Sequence, residues 1–384
     1  MPRRLSPPFA CRPAARLGCG PGTGGGRVVL LTTCQPGLEA VVAGELKDRG
    51  LGSVERVRPG MLRVQRRVDA GDVSVARRMR TADDLYLQIW AGDRDGFTRR
   101  LAAATWVVPG EVLAAHRDVL AADARRPQGR IKTSCFIQGV TGVRRQAVEE
   151  RMVRQLRTAY PAWRLDAERP DAEFVAFLFG SAAMLVLRLT DPSFRHRHYR
   201  RAPGALSPTV AAALVRLSRP AGTDRLLDPC CGGGTILLER AQTGPYRELL
   251  GGDRSRDALE VARSNFGNRH RPWRLQVWDA RALPLPDRSV DRVVSNLPFG
   301  VQVAAPGGVA AFAAACLGEV ARVLEPGGRA VLLWPKGADV GVPPGLGLES
   351  RLALNLVGQA VVASVWVRRL GPVPGGAGAR SRGE

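Results

Sequence analysis

Residues 225–235 read Arg-Leu-Leu-Asp-Pro-Cys-Cys-Gly-Gly-Gly-Thr, and this stretch decides the fold around it. A short apolar strand, RLLD (225–228), ends in a carboxylate, turns on glycines and enters a helix, TILLERAQ (235–242). Glycine at the turn lets the backbone take positive φ and lets a ligand approach closely. The loop is not a nicotinamide fingerprint, because Leu237 stands where G-x-G-x-x-G needs its third glycine. Nor is it a P-loop, since no Gly-Lys-Ser/Thr is present. Asp228 at the loop's start would repel a phosphate. It suits a cationic ligand, such as the amino group and sulfonium of S-adenosylmethionine. Taken alone, an ordinary glycine-rich turn has the same local pattern.

Outward from this loop the chain alternates regularly. Helix 207–220 precedes it. Strand 248–253, helix 257–268, strand 274–279, strand 291–296, helix 309–324, strand 329–335 and strand 359–369 follow. Strands separated by helices imply α/β architecture, a doubly wound parallel sheet with its site at the carboxyl strand ends. Asp253 closes the second strand, where a carboxylate can accept both ribose hydroxyls. Asp279 closes the third and can accept from an adenine amine, with Ala280 offering its backbone N–H. The expected cofactor set is Asp228, Cys231, Gly232, Gly234, Thr235, Asp253, Arg254, Asp279, Ala280 and Asn296.

Asn296-Leu297-Pro298-Phe299-Gly300 follows the fourth strand, at the topological switch. The Asn296 side-chain carbonyl and the Leu297 main-chain carbonyl can both accept from an exocyclic NH₂, turning its lone pair toward a sulfonium methyl. Pro298 stiffens the turn, and Phe299 offers a face for a flipped-out base. Asn296, Leu297, Pro298 and Phe299 are the expected catalytic residues. No strong base is required, because the nitrogen loses its proton after attack, so catalysis is positioning. A cysteine-dependent C5-pyrimidine chemistry is disfavoured, since this turn holds no cysteine.

At 384 residues, and about 150 per domain, two domains are expected. The net charge is +22, and all but three of the 57 bases are arginine. Residues 1–200 hold 34 bases against 20 acids, which points to an anionic partner, usually nucleic acid. Residues 27–192 alternate strands and helices without a phosphate loop, as a binding module would. In helix 143–160, Arg144, Arg145, Arg151 and Arg154 form either an RNA face or a solvated charged face. The segment 193–205 reads as a basic linker, with Arg195, Arg197 and Arg200 as phosphate contacts. Residues 1–26 and 371–384 read as disordered. Seven cysteines form no C-x-x-C pair, so no metal is expected, and reduced thiols fit a cytoplasmic chain. No apolar run reaches membrane-helix length, so no membrane partner is expected.

These motifs resemble the THUMP-domain RNA methyltransferases that make N2-methylguanosine in tRNA. Their D-P-x-C-G-[S/T]-G-T is matched by Asp228, Pro229, Cys231, Gly232, Gly234 and Thr235, and their N-L-P-F-G by residues 296–300. Their hinge, R-x-Y-R before a Leu-x-Pro-Thr helix, is matched by Arg197, Tyr199, Arg200, Leu206, Pro208 and Thr209. The resemblance implies a Rossmann-like domain over 206–370 with a seven-stranded, mostly parallel sheet, preceded by a THUMP-like RNA-binding region over 27–192. It implies a monomer that uses S-adenosylmethionine and acts on tRNA. Ribosomal RNA, adenine-N6 methylation, and a non-catalytic RNA-binding role are the alternatives; the last would be expected to lose Asn296 or Asp253. Two departures stand out. Gly233 replaces the family's Ser/Thr and is expected to loosen the loop, and Val301-Gln302 stand where the family carries a base.

Overall fold

The computed structural model describes residues 28–102, 107–123, 128–298, 300, 305, 307–338 and 340–370. The segments expected to be disordered, Phe299 and Val301-Gln302 lie outside these residues. The chain forms two compact units, one of residues up to Cys34 with Val42–Phe194, the other of Gln35–Val41 with the residues from Arg195.

The first unit contains β1 (Leu30–Thr33), α1 (Glu39–Asp48), β2 (Val54–Arg58), β3 (Met61–Val64), α2 (Ala70–Ala76), β4 (Asp84–Asp93), α3 (Arg94–Ala102) and α4 (Gly110–Ala122). It continues with β5 (Arg130–Gln138), α5 (Arg145–Ala159), β6 (Arg164–Leu165), β7 (Ala172–Phe179), β8 (Ala182–Arg188) and the start of α6 (Pro192–His196), whose last two residues, like the first three of α1, are counted with the second unit. The strands make one sheet in the order β2-β3-β1-β4-β8-β7-β5-β6. Antiparallel pairing of β4 with β8 joins β1–β4 to β5–β8. Leu46, Val73, Leu101, Val112 and Met152 of the helices share one core with Leu87, Phe174 and Leu185 of the strands. The short helix α2 was not evident from apolar periodicity; Asp69 and Asp72 close a capping box at its start.

The second unit contains α7 (Pro208–Leu217), β9 (Arg225–Asp228), α8 (Thr235–Ala241), β10 (Glu248–Asp253), α9 (Arg256–Phe266) and β11 (Trp273–Val277). It ends with β12 (Val290–Asn296), α10 (Val309–Val323), β13 (Leu324–Pro335), β14 (Leu346–Leu356) and β15 (Gln359–Arg368). Its seven strands run in the order β11-β10-β9-β12-β13-β15-β14, parallel from β11 to β13 and antiparallel beyond. Val210, Ile236 and Leu259 of α7, α8 and α9 pack on one face, and Phe312, Leu317 and Val320 of α10 on the other. The expected seven-stranded, mostly parallel sheet is present. The edge strand β14 escaped the sequence reading because most of its residues are exposed, which removes the apolar signal.

Candidate active site

Three adjacent strands of the second sheet end in polar residues: β10 in Asp253, β9 in Asp228 and β12 in Asn296. The strand order reverses between β9 and β12, which is where such sheets open a ligand crevice. Asp228 is buried. Its Oδ1 accepts from Ser295 Oγ at 2.7 Å and from the Cys230 N–H at 3.2 Å. Burial pushes its carboxyl up to about 7, the two hydrogen bonds opposing and nearby Asp253 adding to the rise. Ser295 thus ties the end of β12 to the glycine loop, a role its neighbour Asn296 conceals in the sequence.

The loop docks on β10. Asp253 accepts from the Gly232 N–H through Oδ2 and from the Ser255 N–H through Oδ1, both at 2.9 Å. The Cys231 N–H donates to the Gly252 carbonyl at 2.8 Å. The Trp278 indole lies over Gly252, where a Cβ would stand 1.7 Å from the ring, and donates through Nε1 to the Pro229 carbonyl at 3.0 Å. Gly232 and Gly234 have φ of +52° and +79°. A Cβ on Gly232 would meet nothing within 4 Å, so that stretch of backbone faces open space. Cys231 is buried behind the loop, and burial raises its thiol's pKa, so it offers backbone and not a reactive sulfur. Thr235 opens α8 and is buried.

Two expectations need correction. Gly233 does not loosen the loop. Its carbonyl accepts from Asn265 Nδ2 at 2.9 Å, and a Cβ there would stand 3.2 Å from Val261 and 3.4 Å from the Ala202 nitrogen, so glycine permits a tighter fit. Asp279 does not close β11 but lies two residues beyond its last residue, Val277. Its carboxylate is engaged by Arg281 at 2.7 Å, which with the Arg281 N–H pulls it down to about 2, the Arg254 charge helping. Ala280 beside it is buried and Arg254 exposed.

At the end of β12, Asn296 Nδ2 donates to the Gly204 carbonyl at 3.1 Å. A carbonyl partner fixes which end of the amide faces it. Asn296 Oδ1 is buried and accepts no hydrogen bond from the described residues. Leu297 is buried, its N–H donating to the Leu333 carbonyl at 3.0 Å, and Pro298 is half-buried.

Residues 195–340 match the family model described as RMKL-like, methyltransferase domain. The mouse protein named tRNA (guanine(6)-N(2))-methyltransferase THUMP3 is 31% identical over 189 residues, 45% of this chain and 37% of that protein. The tRNA (guanine(6)-N2)-methyltransferase of Thermus thermophilus is 34% identical over 207 residues, 53% of this chain and 62% of that protein. The crystal structure of TrmN from Thermus thermophilus matches with a TM-score of 0.71 at 27% identity, over 89% of this chain and 99% of that one. The chain therefore spans 37% and 62% of the length of these two curated relatives. Over residues 195–340 the chain is therefore similar to RMKL-like methyltransferase domains.

The basic segment expected as a linker falls within the second unit from Arg195 on. The Arg200 backbone is held by Asn265, and its guanidinium donates to Ser264 Oγ at 3.1 Å, while the side chain stays exposed. Arg195 is half-buried. Arg197 is not placed as a phosphate contact: its side chain is 10% exposed and lies 4.0 Å from the fully buried Glu239. In the first unit, Arg144 and Arg145 are exposed at the start of α5, whose inner face carries Val148, Met152 and Leu156.

Proposed function

We propose that the chain is an S-adenosylmethionine-dependent RNA methyltransferase acting on the exocyclic N2 of a guanosine in tRNA. The observation that carries this reading is the buried Asn296 Oδ1, which accepts no hydrogen bond from the described residues at the strand switch. A buried acceptor left unpaired costs about 1–3 kcal/mol, and an amine donor relieves that cost.

The residues present suit the cofactor. Gly232 exposes backbone to open space, and each Asp253 oxygen keeps a lone pair beyond the amide it accepts. Asp228 and Asp253 suit a cation. When bound, S-adenosylmethionine supplies an electrophilic methyl on a positively charged sulfur. Asn296 Oδ1 and the Leu297 carbonyl hold the two amine hydrogens and so aim the nitrogen lone pair. Gly204 keeps the Asn296 amide from rotating, and Pro298 stiffens the turn.

RNA as substrate is supported by the basic residues of 1–200 and by the names of the mouse and Thermus relatives; N2 of guanosine rests on those names. The test is transfer from labelled cofactor into tRNA and ribosomal RNA, followed by nucleoside mass spectrometry. N2-methylguanosine in tRNA is expected. N6-methyladenosine would move the target to adenine, and no transfer to either RNA would overturn the reading.

A further inference from the structure

We propose that Asn265, on α9, is a positioning residue that holds the catalytic turn and the cofactor loop in one frame through the strap 200–204. This rests on the reading of Asn296 as the amine acceptor.

Asn265 is 9% exposed, and its neighbours on the same helix face are Leu259, Ala262 and Phe266. An amide there loses its hydration and is stable only if its hydrogen bonds are replaced. It makes three. Oδ1 accepts from the Arg200 N–H, and Nδ2 donates to the carbonyls of Arg200 and Gly233, each at 2.9 Å. One side chain thus binds both backbone groups of Arg200 and the carbonyl at the centre of the glycine loop.

From Arg200 the strap passes close to the loop. The Ala202 nitrogen and Cβ lie 3.4 and 3.5 Å from where a Gly233 Cβ would stand, so the strap packs close to the loop at this residue. Two residues on, the Gly204 carbonyl accepts from Asn296 Nδ2 and sets the direction of Oδ1. The strap enters through Arg197 and His198, both at φ +56°. Non-glycine residues in that region are strained and persist only where their surroundings hold them. Without the clamp the strap can relax away from the loop and let the Asn296 amide turn.

Asn265→Ala removes all three bonds. Asn265→Asp keeps the shape and one acceptor but loses both donations, so it serves if the alanine variant folds poorly. In the full chain, single-turnover transfer into tRNA is expected to fall at least about tenfold in both variants, with tRNA affinity within about twofold. In an Asn296→Ala background and at saturating cofactor, which removes any effect through the loop's cofactor affinity, Asn265→Ala is expected to cost less than about twofold more, because the remaining effect on transfer travels through Asn296. A full-rate Asn265→Ala enzyme, or losses that multiply in the double variant, overturns the proposal while leaving the Asn296 reading intact. A full-rate Asn296→Ala enzyme overturns that reading instead, and with it the route assigned to Asn265.

Discussion

The two units bury polar groups in different ways. In the first, the buried carboxylates are matched in place. Asp84 pairs with Arg188 at 2.6 Å, Asp171 with Arg130 at 3.0 Å, and Glu45 with Arg49 at 2.8 Å while also accepting from Thr81. Its further arginines, Arg144, Arg145, Arg151 and Arg154 among them, stand in solvent on α5. In the second unit, polar residues gather at three neighbouring strand ends; one of them, Asn296, keeps a buried acceptor with no donor among the described residues, as Gln88 on β4 and Gln155 on α5 of the first unit also do. Matched burial builds architecture, and an unmatched acceptor points to a reacting group only where it also stands at a switch in strand order, as Asn296 does. Exposed charge acts at longer range and yields to salt.

Substitutions in each class should separate these roles. The largest effect is expected from Asn296→Ala, a loss of about a hundredfold or more in transfer rate with cofactor and tRNA affinity nearly intact. Single-turnover transfer with parallel binding titrations checks it; a loss confined to affinity would place Asn296 among binding groups. Arg197→Ala should behave like a change in the first unit despite its position. Withdrawing a partner from buried Glu239 costs about 3 kcal/mol of stability, visible as a lower Tm, and leaves the salt dependence of tRNA binding unchanged.

A smaller effect comes from pH. Burial holds the Asp228 carboxyl near 7, well above its ordinary value. A cationic cofactor favours its ionised form, so below that pH binding must release a proton. Affinity should fall by up to about tenfold per pH unit below 7 and level off above it. Calorimetry across this range checks the slope; Asp228→Asn should bind weakly and without it. The smallest effect belongs to the exposed face: Arg144→Ala with Arg145→Ala should lower the salt slope of tRNA binding by about one per lost phosphate contact. An unchanged slope would make that end of α5 a merely solvated one.

Much of the second unit was legible because its signals are local. RLLD followed by glycines states a strand end and a turn within ten residues, and parallel topology then carries Asp228, Asp253 and Asn296 to one edge. Asp279 misled because the chain continues for two residues past β11 before reaching it. The strand β14 was silent because an exposed edge carries little apolar pattern. Positive charge led to the expectation of an anionic partner for the first unit but could not rank its arginines.

The sequence by itself determined the alternation of strands and helices, the glycine loop and the strand-terminal residues, since these depend on neighbours a few positions away. Tertiary structure decided what surrounds them. Ser295 meets Asp228 across 67 positions, Trp278 meets Pro229 across 49, Asn265 meets Gly233 across 32, and Gly204 meets Asn296 across 92. It also buried Arg197 beside Glu239 while leaving Arg200 in solvent, although both lie in one basic run. A side chain's direction and its distant partner are fixed only when the sheet closes, and no local pattern encodes them.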